Sequence, residues 1–108
     1  MKTEHIVLTI SIQAAAALAK KRFVTSGGAV PAAGAWCPGV TNASYDAGEQ
    51  AGVDVQGVIL VEAGGTIAAD AEVQTDATGC AITKAAGVSL GRTLDAAGAA
   101  GELIRILR

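Results

Sequence analysis

Apolar and polar residues alternate in short runs along this chain, and turns that contain glycine or aspartate separate the runs. Near the N-terminus, Thr9, Ser11 and Gln13 interrupt an apolar stretch at every second position. The segment 5–11 is also rich in β-branched residues, which favour extended backbone. Because alternation with period two is typical of a β-strand, this segment is the first predicted strand.

Seven more strands are predicted from runs that are β-branched or alternating and that begin and end at turn-forming residues. The longest run contains Val53, Val55, Ile59 and Val61, which share one face if the strand is regular. Gly57 lies in its middle and indicates a bend, a bulge or the close approach of another backbone. The predicted segments are 22–25, 37–42, 51–62, 72–75, 80–83, 89–94 and 102–107.

The segment 14–21 is a helix candidate, because it is rich in residues of high helix propensity. It is short, uncapped and ends in like charges, and helices of this length are marginal without packing. We therefore expect one helical turn or an ordered loop. The predicted fold class is all-β: a small barrel or sandwich of short strands, with at most one short helical turn near 14–21.

The two halves of the chain resemble each other at a spacing of about 50 residues, with the same order of turns and strands. We predict a single domain, 1–108, made of two β units, about 1–56 and 57–108, that are related by a pseudo-twofold axis. Neither half alone could bury a core. Matching segments include 6–8 and 58–60, 23–25 and 73–75, and 39–41 and 91–93.

Small residues dominate the composition. The chain has 24 Ala and 14 Gly but one each of Met, Phe, Tyr and Trp. Small side chains bury little apolar area, and buried apolar area is the main stabilising contribution to a fold. We therefore expect a thin core in a lone monomer, which burial against partner subunits would supplement.

Charge and hydropathy argue against nucleic-acid binding and against a membrane span. The net charge is −2 and there is no basic stripe to follow a phosphate backbone. The one basic cluster, Lys20-Lys21-Arg22, is interpreted as a solvated turn or a subunit contact. No run of 18 or more apolar residues is present. Glu4 and the alternation that follows it also argue against a cleaved signal peptide.

No catalytic, cofactor-binding or metal-binding group is predicted, and we do not expect an enzyme. His5 is the one histidine, so no nucleophile–base pair and no zinc site can be completed. Cys37 and Cys80 are interpreted as two buried thiols or as a disulfide, and the sequence leaves both open. A carrier domain modified at Lys84 is an alternative, but no lysine lies at the centre of the chain, where such a carrier has one.

Several segments resemble the capsid cement or head decoration proteins of tailed bacteriophages. The resemblance covers nearly the whole chain, although its motifs are rich in glycine and alanine. Trp36 and Cys37 depart from the small or aliphatic residues expected at their positions. The segments that carry the resemblance are 22–25, 28–34, 38–41, 46–49, 53–57, 61–68 and 101–107.

This resemblance implies a structural protein that is made in the host cytoplasm and binds the outer surface of the virion capsid. Such proteins commonly sit as homotrimers at or near threefold positions, bridge neighbouring subunits of the major capsid protein and stabilise the expanded shell. The alternative function is a secreted or surface β-module that binds a protein or a sugar. No cofactor is expected in either case.

The predicted partner interface has three parts. The segment 1–11 could add as a strand to a neighbour's sheet, or it could pair within its own sheet. Exposed aromatic residues often anchor interfaces, although Trp36 could equally fill the core. The basic cluster could meet an acidic shell surface. The candidate residues are Ile6, Leu8, Ile10, Lys20, Lys21, Arg22, Trp36 and Tyr45.

Overall fold

A computed structural model describes residues 2–108. Within this range the chain contains no helix, and the predicted all-β class is confirmed. All eight predicted strands are present, and six of them form one antiparallel sheet while β5 and β6 pair with each other. The strands are β1 His5–Gln13, β2 Phe23–Val24, β3 Gly39–Thr41, β4 Gln50–Glu62, β5 Val73–Thr75, β6 Ala81–Thr83, β7 Arg92–Thr93 and β8 Leu103–Leu107.

The long strand β4 holds the larger sheet together. Its first half pairs with β3 through Val53 and Asp54, and its second half pairs with β8 from Val58 to Glu62. β1 pairs with β4 over residues 50–58. β2 extends the sheet beyond β3, and β7 extends it beyond β8. Each half of the chain therefore builds its part of the sheet on one half of β4.

The core consists of two clusters of buried side chains, and β4 contributes to both. Val53 and the half-buried Val55 belong to the smaller cluster, whereas Ile59 and Val61 belong to the larger one. The prediction that these four side chains share one face is therefore wrong. The β1–β4 pairing shifts register on either side of Leu8. At this irregularity the odd-numbered side chains of β4 change from one cluster to the other.

Gly57 lies at the register shift, where the backbones of β1 and β4 approach closely. Its φ is +118°, and a Cβ at this position would lie 2.2 Å from the carbonyl oxygen of His5 and 2.9 Å from the nitrogen of Val7. Only a residue without a side chain fits both constraints. The close approach predicted from the sequence is thus confirmed.

The segment 14–21 is an ordered loop. Leu18 exchanges two backbone hydrogen bonds with Tyr45, with N···O distances of 2.8 and 2.9 Å. Lys21 has a φ of +58°, which ends any helical continuation. Of the two sequence expectations the ordered loop is the one observed, because cross-chain pairing satisfies backbone groups that a helix would have paired locally.

Backbone contacts recur at matching places in the two halves. The bridge between Leu18 and Tyr45 has a counterpart between Ile67 and Ala97. Lys21 also has a counterpart of the same left-handed conformation in the second half. This is Asp70, with a φ of +60°.

The same correspondence holds for side chains. The Thr41 hydroxyl donates to the carbonyl of Ala19 at 2.7 Å, and the Thr93 hydroxyl donates to the carbonyl of Ala68 at 2.8 Å. Both threonines are fully or almost fully buried. The hydroxyls therefore satisfy matching loop carbonyls in the two halves.

A third correspondence lies in the hairpins. Ala14 N donates to Glu49 O, and Ala63 N donates to Glu102 O, both at 2.8 Å. These matched contacts support the proposal of two related units, 1–56 and 57–108.

We predict that Gly57→Ala destabilises the fold far more than Gly48→Ala. Gly48 also has a positive φ, +89°, but apart from Gly48 and its two chain neighbours no residue has an atom within 4 Å of its Cβ position. The matched control should cost about 1 kcal/mol of unfolding free energy for backbone strain alone, and Gly57→Ala about 3 kcal/mol or more, because β1 must also move. Urea unfolding of both variants measures the difference. Equal losses would contradict the close approach of β1.

Candidate functional site

The predicted N-terminal interface strand pairs within its own sheet, as β1. The β1–β4 contact is reinforced by the Thr9 hydroxyl, which donates to the buried Asp54 carboxylate at 2.8 Å. Among residues 2–108 no strand pairs with the second edge of β1. Nine residues of β1 therefore present one unpaired row of backbone donors and acceptors. Met1, which belongs to the predicted segment, lies outside the described residues.

The candidate side chains of β1 differ in exposure. Ile6 is half-buried and packs against the larger cluster. Leu8 and Ile10 are exposed, as is Val7, which the sequence prediction did not select. The open edge is thus accompanied by exposed aliphatic side chains.

The basic cluster is largely neutralised by ion pairs within the chain. Lys21 Nζ lies 3.0 Å from Glu4 Oε1, and Arg22 Nη2 lies 3.1 Å from Glu62 Oε2. Lys20 is exposed and takes part in none of the ion pairs found within residues 2–108. The sequence prediction could not anticipate these pairings, because the glutamates lie on β4 and just before β1.

The two candidate aromatic residues lie in separate loops. Trp36 is 57 % exposed, so it does not fill the core. Tyr45 is half-buried against the smaller cluster, and its hydroxyl donates to Asn42 Oδ1. The structure therefore leaves Leu8 and Ile10 exposed on β1, turns Ile6 toward the core and joins Lys21 to the start of β1 through Glu4.

A second exposed apolar surface was not predicted from the sequence. On β8, Ile104 and Ile106 are fully buried, whereas Leu103 and Leu107 are 38 % and 51 % exposed. Residues that pair across strands share a face of the sheet. The pairing puts Val58 beside Leu107 and Leu60 beside Arg105. The backbone nitrogen of Leu94, which is 40 % exposed, donates to the carbonyl of Arg105. We call this surface the leucine face: Val58, Leu60, Leu94, Leu103 and Leu107.

Arg105 lies among these aliphatic side chains, but its charge is compensated. Its Nε and Nη2 donate to the two carboxylate oxygens of Asp95 at 2.9 and 3.0 Å, and its backbone nitrogen donates to the same carboxylate. These hydrogen bonds lower the pKa of Asp95 to about 2. The centre of the leucine face therefore carries a bidentate ion pair and no net charge.

The two cysteines are free thiols and are buried, so the disulfide alternative does not hold in this structure. Burial raises the pKa of Cys37 to about 11 and also raises the pKa of Cys80. Both thiols are therefore protonated and poorly nucleophilic at neutral pH. Within residues 2–108, no group of three or more His, Cys, Asp or Glu side chains is placed to hold a metal ion. Over the same residues, no helix has the length and apolar character needed to cross a membrane.

Comparison with known proteins identifies the family of the chain and a protein of similar fold. Residues 1–108 match the family described as "Phage cement protein". The fold is similar to the N base of head fiber gp8.5 of bacteriophage phi29, with a TM-score of 0.75 at 18 % sequence identity, over 93 % of this chain and 92 % of that chain. No curated protein sequence matches the chain.

We predict that the Asp95–Arg105 ion pair makes stability depend on pH in the acid range. The folded-state pKa of about 2 lies below the ordinary value of 3.8. The contribution of Asp95 to the unfolding free energy is thus fully present above the ordinary pKa and is lost as the pH falls toward 2. Urea unfolding between pH 2 and pH 6 should show a weaker pH dependence in Asp95→Asn. Arg105→Gln removes the ion-pair partner of Asp95 and should weaken the pH dependence of the unfolding free energy similarly. An unchanged profile in both variants would contradict the prediction.

Proposed function

This chain belongs to the phage cement protein family, and from that premise we propose that it is a capsid decoration protein that binds the outer surface of a phage head. As a phage cement protein it is a structural protein associated with the phage capsid. Its proposed partner is the major capsid protein, whose neighbouring subunits it bridges. A self-associated form, a homotrimer, is proposed as the unit that binds.

The proposed effect on the shell is thermodynamic. A protein that binds the expanded shell, and not the unexpanded or broken one, stabilises the expanded state by mass action. Many weak sites on one closed shell act together, so that modest affinity at each site suffices. No catalytic step is part of the proposal. Synthesis in the host cytoplasm, followed by addition to the head, is proposed with it.

The observation that carries the proposal, beside the family match, is the open edge of β1. A strand of a capsid subunit could continue the sheet there, with main-chain hydrogen bonds providing affinity. Leu8 and Ile10, which are exposed on the same strand, would contribute apolar contacts. Because Lys21 and Arg22 are paired within the chain, Lys20 is the member of the basic cluster that is proposed to meet an acidic shell surface.

The alternative of a secreted or surface β-module draws no support from the thiols, because an oxidised pair was the feature that would have favoured it.

We predict that the purified protein binds expanded, undecorated heads. Electron cryomicroscopy of the mixture should show added density at threefold or quasi-threefold positions on the outer surface. Absence of binding at every salt concentration would overturn the proposed function.

We also predict that Leu8→Lys/Ile10→Lys weakens head binding at least tenfold. Charges on an edge strand oppose the addition of another strand. The matched control is Thr83→Lys, which adds the same charge to an exposed position at the end of β6. Co-sedimentation with heads measures binding, and circular dichroism verifies folding. Equal binding of both variants would exclude the β1 edge as the contact.

A further inference from the structure

We propose that the leucine face binds a second copy of this chain, through the loop that contains Val30 and Trp36. This inference deepens the proposed self-association by naming the two surfaces that meet. It depends on the correspondence between the two units, on the exposure of particular side chains, and on the charges around them.

The first unit shows which side chains the chain places at the matched positions that stay exposed to solvent. Gln50 and Leu103 follow the matched hairpin residues Glu49 and Glu102, and each opens its strand. Both positions are exposed. The first unit thus has a polar side chain where the second has leucine.

The neighbouring strand repeats the contrast. Asn42 follows Thr41 and donates its backbone N–H to Gly52, while Leu94 follows Thr93 and donates to Arg105. Both side chains are exposed in the single chain. At two independently matched positions, the second unit therefore carries leucine where the first carries an amide. Exposed leucine side chains do not stabilise a monomer. Leucine at both positions is therefore better explained if another molecule covers this face.

Within one chain, the matching face of the first unit is indeed covered in part by the second unit. Phe23 and Val40 lie on it and are buried in the larger cluster, together with Ala81 of β6. The turn before β6 also contacts β2, where Phe23 N donates to Gly79 O at 2.7 Å. The leucine face has no such cover from residues 2–108.

The corresponding turn of the first unit contacts its own unit, where Ala15 N donates to Gly28 O at 2.9 Å, and not the leucine face. The Thr25 side chain accepts a hydrogen bond from Ala29 N, just as the Asp76 side chain accepts one from Cys80 N, both at 3.0 Å. The residue after each turn differs in burial. Ala81 is fully buried, whereas Val30, its counterpart, is 47 % exposed.

One molecule cannot close this contact on itself. Arg108 continues the alternation of Ile104 and Ile106, whose side chains lie on the face opposite to the leucine face. Its guanidinium reaches the carbonyl of Cys37 at 3.3 Å. The Trp36 loop therefore lies toward that opposite face. The leucine face of one copy therefore meets the Trp36 loop of the next copy in a head-to-tail contact. Such contacts form a closed ring when the rotation between neighbouring copies divides a full turn.

The charges of the two surfaces suit an apolar contact. Residues 26–38 contain no charged side chain. On the leucine face, Arg105 is neutralised by Asp95. The ion pair of Arg105 would thus be buried as a pair, as is typical of stable interfaces. Arg92 pairs with Leu107 from the edge strand β7, and its guanidinium donates to the carbonyl of Asp70 at 3.1 Å, so this charge would lie at the rim of the contact.

The test replaces each leucine by the residue that occupies the matched position of the first unit. Leu94→Asn/Leu103→Gln replaces two exposed leucines of the leucine face by polar side chains. Val30→Ser/Trp36→Ser replaces the exposed apolar side chains of the loop. Leu8→Gln is the matched control, because Leu8 is an exposed leucine on β1 outside the leucine face. Sedimentation equilibrium measures the mass of each purified protein, and circular dichroism verifies that it is folded.

We expect the wild type and Leu8→Gln to self-associate, and each double variant to do so roughly 100-fold more weakly. An equimolar mixture of the two double variants should form a 1:1 dimer and nothing larger, since one intact surface of each kind is left. If one double variant fails to fold, Leu94→Asn alone or Val30→Ser alone replaces it, with the same expected direction.

A monomeric wild type, double variants that keep the wild-type mass, or a mixture that forms no dimer would each overturn the inference. Its failure is distinguishable from failure of the proposed function. Leu8→Gln should keep its mass while losing head affinity. A wild type that self-associates through the leucine face but binds no heads would overturn the proposed function alone.

Discussion

The shared strand β4 is the constraint on which the rest of the structure depends. Its first half pairs with β3 and its second half pairs with β8, so neither half of the chain has a complete sheet without it. The backbone of β1 crosses it closely at Gly57, where no side chain fits. At the same place β4 changes the cluster into which its side chains point. The close approach of β1 and the change of cluster thus occur at the same point of β4.

The core is poor in large side chains, whereas several aliphatic side chains lie on the surface. A core made largely of alanine, valine and isoleucine stabilises the fold only modestly per residue. Nevertheless, exposed aliphatic side chains occupy β1 and the leucine face. In a monomer these side chains would contribute no stability, and they would favour aggregation. In the proposed function, assembly on the capsid would cover these side chains.

The sequence predicted local features well and relations between distant segments poorly. The strands were predictable because alternation and turn residues are local signals, and Gly57 was predictable for the same reason. Which side chains of β4 share a face was not predictable, because the register shift arises from the pairing with β1. The ion pairs of Lys21 and Arg22, and the exposure of the leucine face, likewise depend on which strands lie side by side. The candidate residues Leu8 and Ile10 were selected because they lie in the alternating N-terminal segment, and their role in an interface stays a prediction. Leu94 and Leu103 were not selected, because in sequence they look like ordinary strand residues.

The pairing of β1 with β4 also has a kinetic consequence. Thr9 contacts Asp54, 45 positions later in the sequence, and the side chain of Glu4 contacts the backbone of Leu60, 56 positions later. Contacts of such sequence separation form late, because a long loop must close before they contribute any stability. A nascent or truncated chain that lacks β4 therefore cannot display an ordered β1 edge. Competence to join a particle would then be acquired only by molecules that have finished folding, which would keep incomplete chains off the growing virion.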